Sequence, residues 1–296
     1  MTDAPHPGYR YRHVLDGTAR GHTTLSYLVA TFRHSTEFEW QARLDAGEIL
    51  VDDTLARGSE PLRPGAVLVW NRPGWVEAEV PQSYTLIHQD DDLIVVDKPS
   101  GLPTLPGGGF YQHTLLSLVQ RDFPEARPLH RLGRATSGLV LFALNSPTAA
   151  TLSRQWPQVE KQYLALASGI AALLSYDIQM PIGPVPHPRL GTVHAASPSG
   201  KPAHSVARVV RCHAESTLFE VDLFTGRPHQ IRIHLAAIGH PLVGDPIYEA
   251  GGLPRAVNPG LPGDSGYWLH AGRVRFTHPK TGERVEFTAA SPTALR

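Results

Sequence analysis

Ser137-Gly-Leu-Val-Leu-Phe-Ala143 is an almost wholly apolar run, and the polar stretch His130-Arg-Leu-Gly-Arg-Ala-Thr136 leads straight into it. A short continuous apolar run bounded by turn residues reads as a strand covered on both faces. Similar short β runs lie on either side of it: Tyr84–His88, Leu93–Val96, Lys161–Ser168, Ala203–Val210, Leu218–Phe224 and Val285–Thr288. Between them, residues 114–121, 146–155 and 229–238 carry helical spacing. Runs of strands with fewer helices predict an α+β domain built on a mostly antiparallel central sheet with flanking helices. Gly107–Gly109, Pro181–Pro188 and Gly251–Gly266 read as loops, the last long enough to be functional.

The first 80 residues read differently. Thr23 and Thr24 can cap a helix whose apolar positions Leu25, Leu28, Val29 and Phe32 keep one face. A second helix carries Trp40 and Leu44 one turn apart and stops at Gly47. Glu48–Val51 and Ala66–Trp70 are strand-like, with a turn at Asp52-Asp53. A small α/β module followed by a Pro-rich linker, Asn71 to Ser83, predicts two domains: residues 1–80 and residues 81–296.

The 296 residues carry 27 Lys plus Arg against 27 Asp plus Glu, with 41% hydrophobic residues, enough for a core and too many for a disordered chain. The balance is uneven. Residues 1–80 hold 8 Arg and 11 acids, a net of −3, which leaves +3 for the remainder. Zero net charge argues against tight nonspecific nucleic-acid binding, so positive charge used on such a partner has to be local. No apolar run approaches the roughly 18 residues that span a bilayer, and Met1 to Arg10 lacks the layout of a signal peptide. The single Cys212 excludes an internal disulfide and cysteine-pair zinc sites. These readings give the expectation of a cytoplasmic protein with no membrane partner; no visible patch encodes assembly, and monomer is the default.

Three segments carry chemistry. In His130–Gly138, Arg131 and Arg134 sit in a loop before a buried strand, a good place to hold phosphates, though Thr136 and Ser137 could equally cap an ordinary β connection. In Thr225-Gly-Arg-Pro-His-Gln-Ile-Arg-Ile-His-Leu235, Arg232 and Gln230 are donors suited to a carboxylate, a phosphate or a base edge. His229 and His234, five apart, do not share a helix face as a zinc pair does, and no acid lies between Asp222 and Asp245; a metal site is not expected. Each histidine alone is more often a satisfied structural residue. In Glu160-Lys-Gln-Tyr163, Tyr163 at a strand start suits base stacking or proton transfer, or a tethered place in the core.

Together these segments resemble the RluA-type family of RNA pseudouridine synthases. The resemblance runs in order through Val95-Val-Asp-Lys-Pro-Ser-Gly-Leu-Pro103, His130-Arg-Leu and Thr136-Ser-Gly-Leu139, Lys161-Gln-Tyr163, Gly226–Leu235 with Gly239–Asp245, and Leu269-His-Ala271. Residues 20–70 more weakly resemble an S4 RNA-binding domain, through Ala46–Asp52 and Leu62-Arg-Pro-Gly65. The family resemblance implies an isomerase acting on ribosomal or transfer RNA, with RNA as its partner and neither metal nor cofactor. It implies a cleft for a uridine flipped out of the chain, at a cost of a few kcal/mol met by phosphate contacts and stacking. Carried over by motif, Tyr163 lines the pocket, Arg232 pairs with an aspartate, and Arg131 fills the gap left by the flipped base. His130, Arg134, Thr136, Arg227, His229 and Gln230 complete the expected RNA-binding set.

That aspartate is missing from the expected place. The family pattern is His-Arg-Leu-Asp, and here Gly133 follows Leu132, with no carboxylate anywhere between Glu125 and Glu160. The sequence resembles in this a plant sub-branch that also reads His-Arg-Leu-Gly. Losing the nucleophile of a covalent mechanism ordinarily costs many orders of magnitude in rate. Three readings follow: a synthase whose acid comes from elsewhere, with Asp122 and Asp97 as candidates; a catalytically silent RNA-binding protein; and a binder of a small phosphorylated ligand. A buried Arg232 without its aspartate needs another carboxylate, an anion or a polar hole beside it.

Overall fold

The computed structural model describes residues 8–296; residues 1–7, part of the stretch inspected for a signal peptide, lie outside the described residues. The chain divides into two compact units, Met1–Glu77 with His187–Gly191, and Ala78–Pro186 with Thr192–Arg296.

The first unit has a four-stranded antiparallel sheet in the order Tyr9–Val14, Val67–Arg72, Ile49–Val51, Thr54–Leu55. Of its helices, Thr24–Thr31 begins at the Thr23-Thr24 pair that the sequence indicates, and Glu37–Asp45 carries Trp40 and Leu44 and ends just before Gly47. Thr23 and Ser26 bond each other's backbone N–H, as do Thr36 and Glu39, so each pair satisfies two donors that a helix start leaves free. Tyr27, Leu28, Trp40, Leu44, Ile49 and Leu68 bury a small core between the helices and the sheet.

The second unit is an α+β domain around a ten-stranded sheet. Its main path runs Ser175–Ile178, Ser205–Cys212, Ser216–Leu223, Glu160–Ser168, Leu269–Thr277, Ser137–Ala143, Leu93–Lys98, Thr85–Gln89. Among its registered pairs only Leu269–Thr277 with Ser137–Ala143 is parallel. Period-2 alternation sends Ile94, Val96, Val140, Phe142, Tyr163, Ala165 and Phe219 to one face, where helices Leu115–Asp122 and Gln230–Ala237 cover them. Leu93, Val95, Leu139, Leu141, Val274 and Phe276 go to the other, under Leu152 of the helix Ser146–Gln155. Covering on both faces explains why the central strands read as continuous apolar runs.

Two stretches depart from the sequence reading. Pro181–Pro188, expected as a loop, contains the strand Ile182–His187, which forms a two-stranded ribbon with Gly191–Ala196 and is bridged at Ile182 to Lys201. In a two-stranded ribbon each strand keeps an open edge, so Pro184 and Pro186 can be placed without costing a ladder bond. Leu269–Thr277, a central strand, went unread because Gly272 interrupts it; the register slips between Ala271 and Arg273 at that point. Within the long Gly251–Gly266 segment only Leu253–Pro254 forms a strand, a two-residue pairing with Tyr248–Glu249.

Candidate active site

The loop from His130 to Thr136 is held from behind by residues 98–104. The Lys98 ammonium donates to the carbonyls of Arg134 (3.2 Å), Leu102 (2.7 Å) and Pro99 (2.9 Å). Ser100 Oγ donates to Ala135 O at 2.6 Å, the Gly101 amide to Arg134 O at 2.8 Å, and Thr104 Oγ1 to Leu132 O at 2.8 Å. With its backbone satisfied on this side, the loop leaves Arg131 and Gly133 exposed while Leu132, Ala135 and Thr136 are buried. Lys98 is completely buried, and desolvation pulls its pKa down to about 7.

Arg232 lies in the first turn of the helix Gln230–Ala237 and is 2% exposed. Its Nε donates to Asp245 Oδ2 and its Nη2 to Asp245 Oδ1, both at 2.7 Å, the bidentate geometry that suits a guanidinium to a carboxylate. Asp245 Oδ1 also accepts the backbone N–H groups of Ile247 (2.8 Å) and Tyr248 (3.0 Å). The guanidinium carbon lies 4.2 Å from the ring centre of Tyr267 and 5.0 Å from that of Tyr248. Burial alone lowers the pKa of Arg232, but the Asp245 bonds and the two tyrosines outweigh it and hold the group above its ordinary value. The carboxylate that a buried Arg232 requires is therefore Asp245. Neither Asp97 nor Asp122 supplies it. Asp122 accepts from Tyr84 Oη at 2.6 Å. Asp97 pairs with Leu139 in register, so alternation points it to the sheet face opposite Tyr163, where it lines a cavity of about 300 Å³ together with Ser137, Tyr267, Trp268 and His270.

The other sequence-predicted residues divide into those near this cluster and those occupied elsewhere. Tyr163, between Val221 and Ala271 on neighbouring strands, shares one apolar cluster with Leu132, Ala135, Ile231 and Tyr267. Burial pushes its pKa up to about 12, and its hydroxyl has no hydrogen-bond partner among the described residues. Thr136 Oγ1 lies 3.3 Å from Tyr267 Oη. Arg134 lends its carbonyl to the cradle and places its guanidinium over Phe110, 5.5 Å from the ring centre. Arg227 Nε donates to Pro202 O at 3.0 Å.

His229 takes a left-handed backbone, φ 56°, at the start of the helix. Tyr248 Oη donates to His194 O at 2.6 Å, so it must accept from His229 Nδ1, 2.7 Å away, which assigns the proton of the neutral ring to Nδ1. Burial and the Arg232 charge depress this histidine to about 3, and Arg131 acts on it in the same sense.

Gln230 and His130 are committed to the fold. Gln230 Oε1 accepts from Thr225 Oγ1 (2.7 Å) and the Arg227 amide (3.0 Å), while its Nε2 donates to His204 O and Ser205 Oγ, both at 2.9 Å. Its amide donors, expected to face a ligand, tie the Thr225–His229 loop to the neighbouring strand instead. His130 Nε2 accepts the Leu141 N–H at 3.1 Å, and its ring packs on Trp156; burial and Lys161 lower its pKa to about 3 and keep it neutral. His234 is likewise bonded, to Ser205 Oγ and Met180 O, both at 3.0 Å. The sequence reading missed Asp245, Tyr248 and Tyr267 as parts of the cluster. Only the Gly244-Asp245 pair offered a signal, as an acid beyond the donor-rich segment.

Among the described residues one group, Asp90, Asp92 and His278, could bring three ligand atoms within 4.8 Å for a metal ion. It lies outside this cluster and is closed by its own bonds. His278 Nδ1 accepts from the Lys280 and Thr281 amides at 3.3 Å, which leaves the proton on Nε2, donated to Asp90 at 3.1 Å. Among the described residues no helix is long and apolar enough to cross a membrane.

Comparison with known proteins bears on the same region. A profile of the RNA pseudouridylate synthase family matches residues 92–237, which include the loop, Tyr163 and Arg232. An RNA pseudouridine synthase of Synechocystis sp. is 40% identical over 92% of this chain and 94% of its own length. RNA pseudouridine synthase 5 of Arabidopsis thaliana is 35% identical over 98% of this chain and 94% of its own. Ribosomal large subunit pseudouridine synthase D of Neisseria meningitidis is 33% identical over 86% of this chain and 76% of its own. Among solved structures, human RNA pseudouridylate synthase domain containing 1 superposes with a TM-score of 0.59 at 26% identity, covering 75% of this chain and 89% of that one.

Proposed function

Because the chain belongs to the RNA pseudouridylate synthase family, we propose that it isomerises specific uridines of ribosomal or transfer RNA to pseudouridine, through a loop that reads His-Arg-Leu-Gly where an aspartate is expected. The observation that carries this reading is the buried Arg232–Asp245 pair, adjoining through Tyr267 the apolar cluster that holds Tyr163 with Leu132 and Ala135 of the loop around the exposed Gly133. The name of the Neisseria relative supports the large ribosomal subunit as the first RNA to test.

In this reading the chain's own residues divide the work. Exposed Arg131 fills the gap left by a flipped uridine, while Arg134 and Arg227 supply local positive charge to phosphates that zero net charge does not attract from afar. Tyr163, pushed up to about 12, stays protonated at neutral pH and can donate a proton at the pocket wall. Residues 1–80 act as an S4-like RNA-binding module, and the protein works as a cytoplasmic monomer without metal or cofactor.

Gly133 favours a second reading, a catalytically silent RNA-binding protein, since glycine offers neither nucleophile nor charge. A chemical pseudouridine map of RNA with and without the gene separates them. The enzyme reading expects at least one site lost from ribosomal or transfer RNA. An unchanged map, together with RNA binding whose log–log salt slope steepens by about 0.7–0.9 per neutralised phosphate, leaves the silent binder.

A further inference from the structure

Gly133 is not an empty position. A β-carbon built on it would lie 2.8 Å from Tyr267 Oη and 3.5 Å from Thr136 Oγ1, closer to the hydroxyl than a real side chain stands. The volume of a residue-133 side chain is already taken by a hydroxyl that belongs to another segment.

The backbone explains how Tyr267 gets there. Gly244 and Gly266 both adopt positive φ, +75° and +128°, and lie against each other. A β-carbon on Gly244 would run into the Gly266 carbonyl oxygen, and one on Gly266 would come within 2.8 Å of the Gly244 carbonyl oxygen. Two side-by-side glycines therefore deliver the residues that follow them, Asp245 and Tyr267, to the same guanidinium. Asp245 takes it edge-on, and Tyr267 takes it on its face. One donor is left over: Nη1 of Arg232 is buried and has no protein acceptor among the described residues. The hydroxyl of Tyr267 thus stands at the exposed Gly133, with this guanidinium over the face of its ring.

We propose that Tyr267 is the catalytic residue that replaces the aspartate expected at position 133, with Arg232 as its electrostatic partner and the target nucleoside as the group that meets both. This inference rests on the synthase reading and names the group that reading lacks. Tyrosine is among the residues that form covalent intermediates, and it serves as the nucleophile at a sugar anomeric carbon in sialidases. Tyr267 Oη releases its proton to solvent at the open Gly133 side and attacks C1′ of the uridine as the N1–C1′ bond breaks, the uracil leaving with the electron pair on N1. After the base turns, C5 attacks C1′ and the Oη–C1′ bond breaks, which returns the phenolate. The Tyr267 phenolate takes the C5 proton and regains its hydroxyl, while Tyr163 protonates N1 and is reprotonated from solvent by the equivalent of the proton Tyr267 released, so the protons balance over the cycle. The guanidinium stands over the face of this ring, 4.2 Å from its centre.

The test is a set of three full-length variants, Tyr267→Phe, Gly133→Asp and the double variant, assayed for pseudouridine formation on total RNA from cells lacking the gene, with melting temperature and RNA affinity measured alongside. Tyr267→Phe should lose at least 100-fold in rate while keeping the wild-type melting temperature and RNA affinity. Gly133→Asp, crowded by Oη, should lose at least 10-fold and melt lower. The double variant, with the hydroxyl removed and a carboxylate in its volume, should recover at least 10-fold over either single variant and regain the melting temperature. Rates for Tyr267→Phe within 3-fold of wild type overturn the proposal and leave the synthase reading standing. No turnover by the wild-type protein overturns the synthase reading and this inference with it.

Discussion

Arg232 and Lys98 are both cations with almost no contact with water, and the fold treats them in opposite ways. Arg232 is matched by a carboxylate through two 2.7 Å bonds and lies over the rings of Tyr248 and Tyr267. Its charge is permanent. Lys98 has no carboxylate within ion-pair distance among the described residues; it holds three carbonyls, and burial depresses its pKa to about 7, with the nearby Asp97 offsetting only part of that. A charge meant for chemistry is compensated by an opposite charge and keeps a spare donor, Nη1. A charge meant for architecture is spread over neutral dipoles that belong to two chain segments, residues 98–102 and Arg134.

The strongest way to break this comparison is to remove the compensation from Arg232. Asp245→Asn leaves a buried guanidinium unpaired and also weakens two backbone contacts, at Ile247 and Tyr248. Breaking a buried pair from one side costs about 3–5 kcal/mol, so urea unfolding should show a loss in that range. A loss below about 1 kcal/mol would mean that the guanidinium reaches water and that the site is not closed. Removing both charges in Arg232→Met with Asp245→Leu should return most of the stability while abolishing pseudouridine formation, because apolar replacements of similar volume lift the desolvation penalty.

The corresponding change on the other side is Lys98→Met. The Arg134 carbonyl keeps the Gly101 amide as a donor, so only the Pro99 and Leu102 carbonyls lose their partner. At about 1–3 kcal/mol for each unsatisfied buried group, less the gain from no longer desolvating an ammonium, the expected loss is about 2–3 kcal/mol, smaller than for Asp245→Asn. Its signature is local: amide exchange of residues 132–136 should speed up more than that of the helix Gln230–Ala237. Equal acceleration at both would merge the two regions into one unit.

How much of this was readable in the sequence follows from the range of the interactions. The strand Ser137–Ala143 and the helix Ser146–Gln155 stand where the pattern puts them, since each is set by a continuous apolar run or by local capping at Asn145. Leu269–Thr277 was illegible because Gly272 breaks its alternation and two of its three strand partners, Ser137–Ala143 and Glu160–Ser168, lie more than a hundred residues away. In the candidate site, Arg232 and Tyr163 were legible by motif, but the roles of Gln230 and His130 were not. A donor-rich side chain looks the same in sequence whether it faces a ligand or, like Gln230, spends its four bonds on the fold. Asp245 and Tyr267 were hidden for the opposite reason: what brings them to Arg232 is the contact of Gly244 with Gly266, which no local pattern announces.

The smallest of the expected effects bears directly on how Lys98 is held. Its pKa is about 7 in the folded protein against the ordinary 10.5 of a lysine in the unfolded chain. Below about pH 7 both states carry the proton, and the full cost of burying the charge is present. Between about 7 and 10.5 the unfolded chain binds more protons than the folded one, so stability rises with pH, by at most about 1.4 kcal/mol per pH unit for one group. Arg232 contributes nothing to this slope, since its folded pKa is raised from a value already far above the window. Urea unfolding of the wild type and of Lys98→Met from pH 7.5 to 9.5 isolates the effect, because every other titrating group is common to both. The wild type should gain stability relative to the variant as pH rises. A flat difference would mean that three carbonyls compensate an ammonium as completely as one carboxylate compensates a guanidinium, and the contrast between the two sites would then be one of geometry alone.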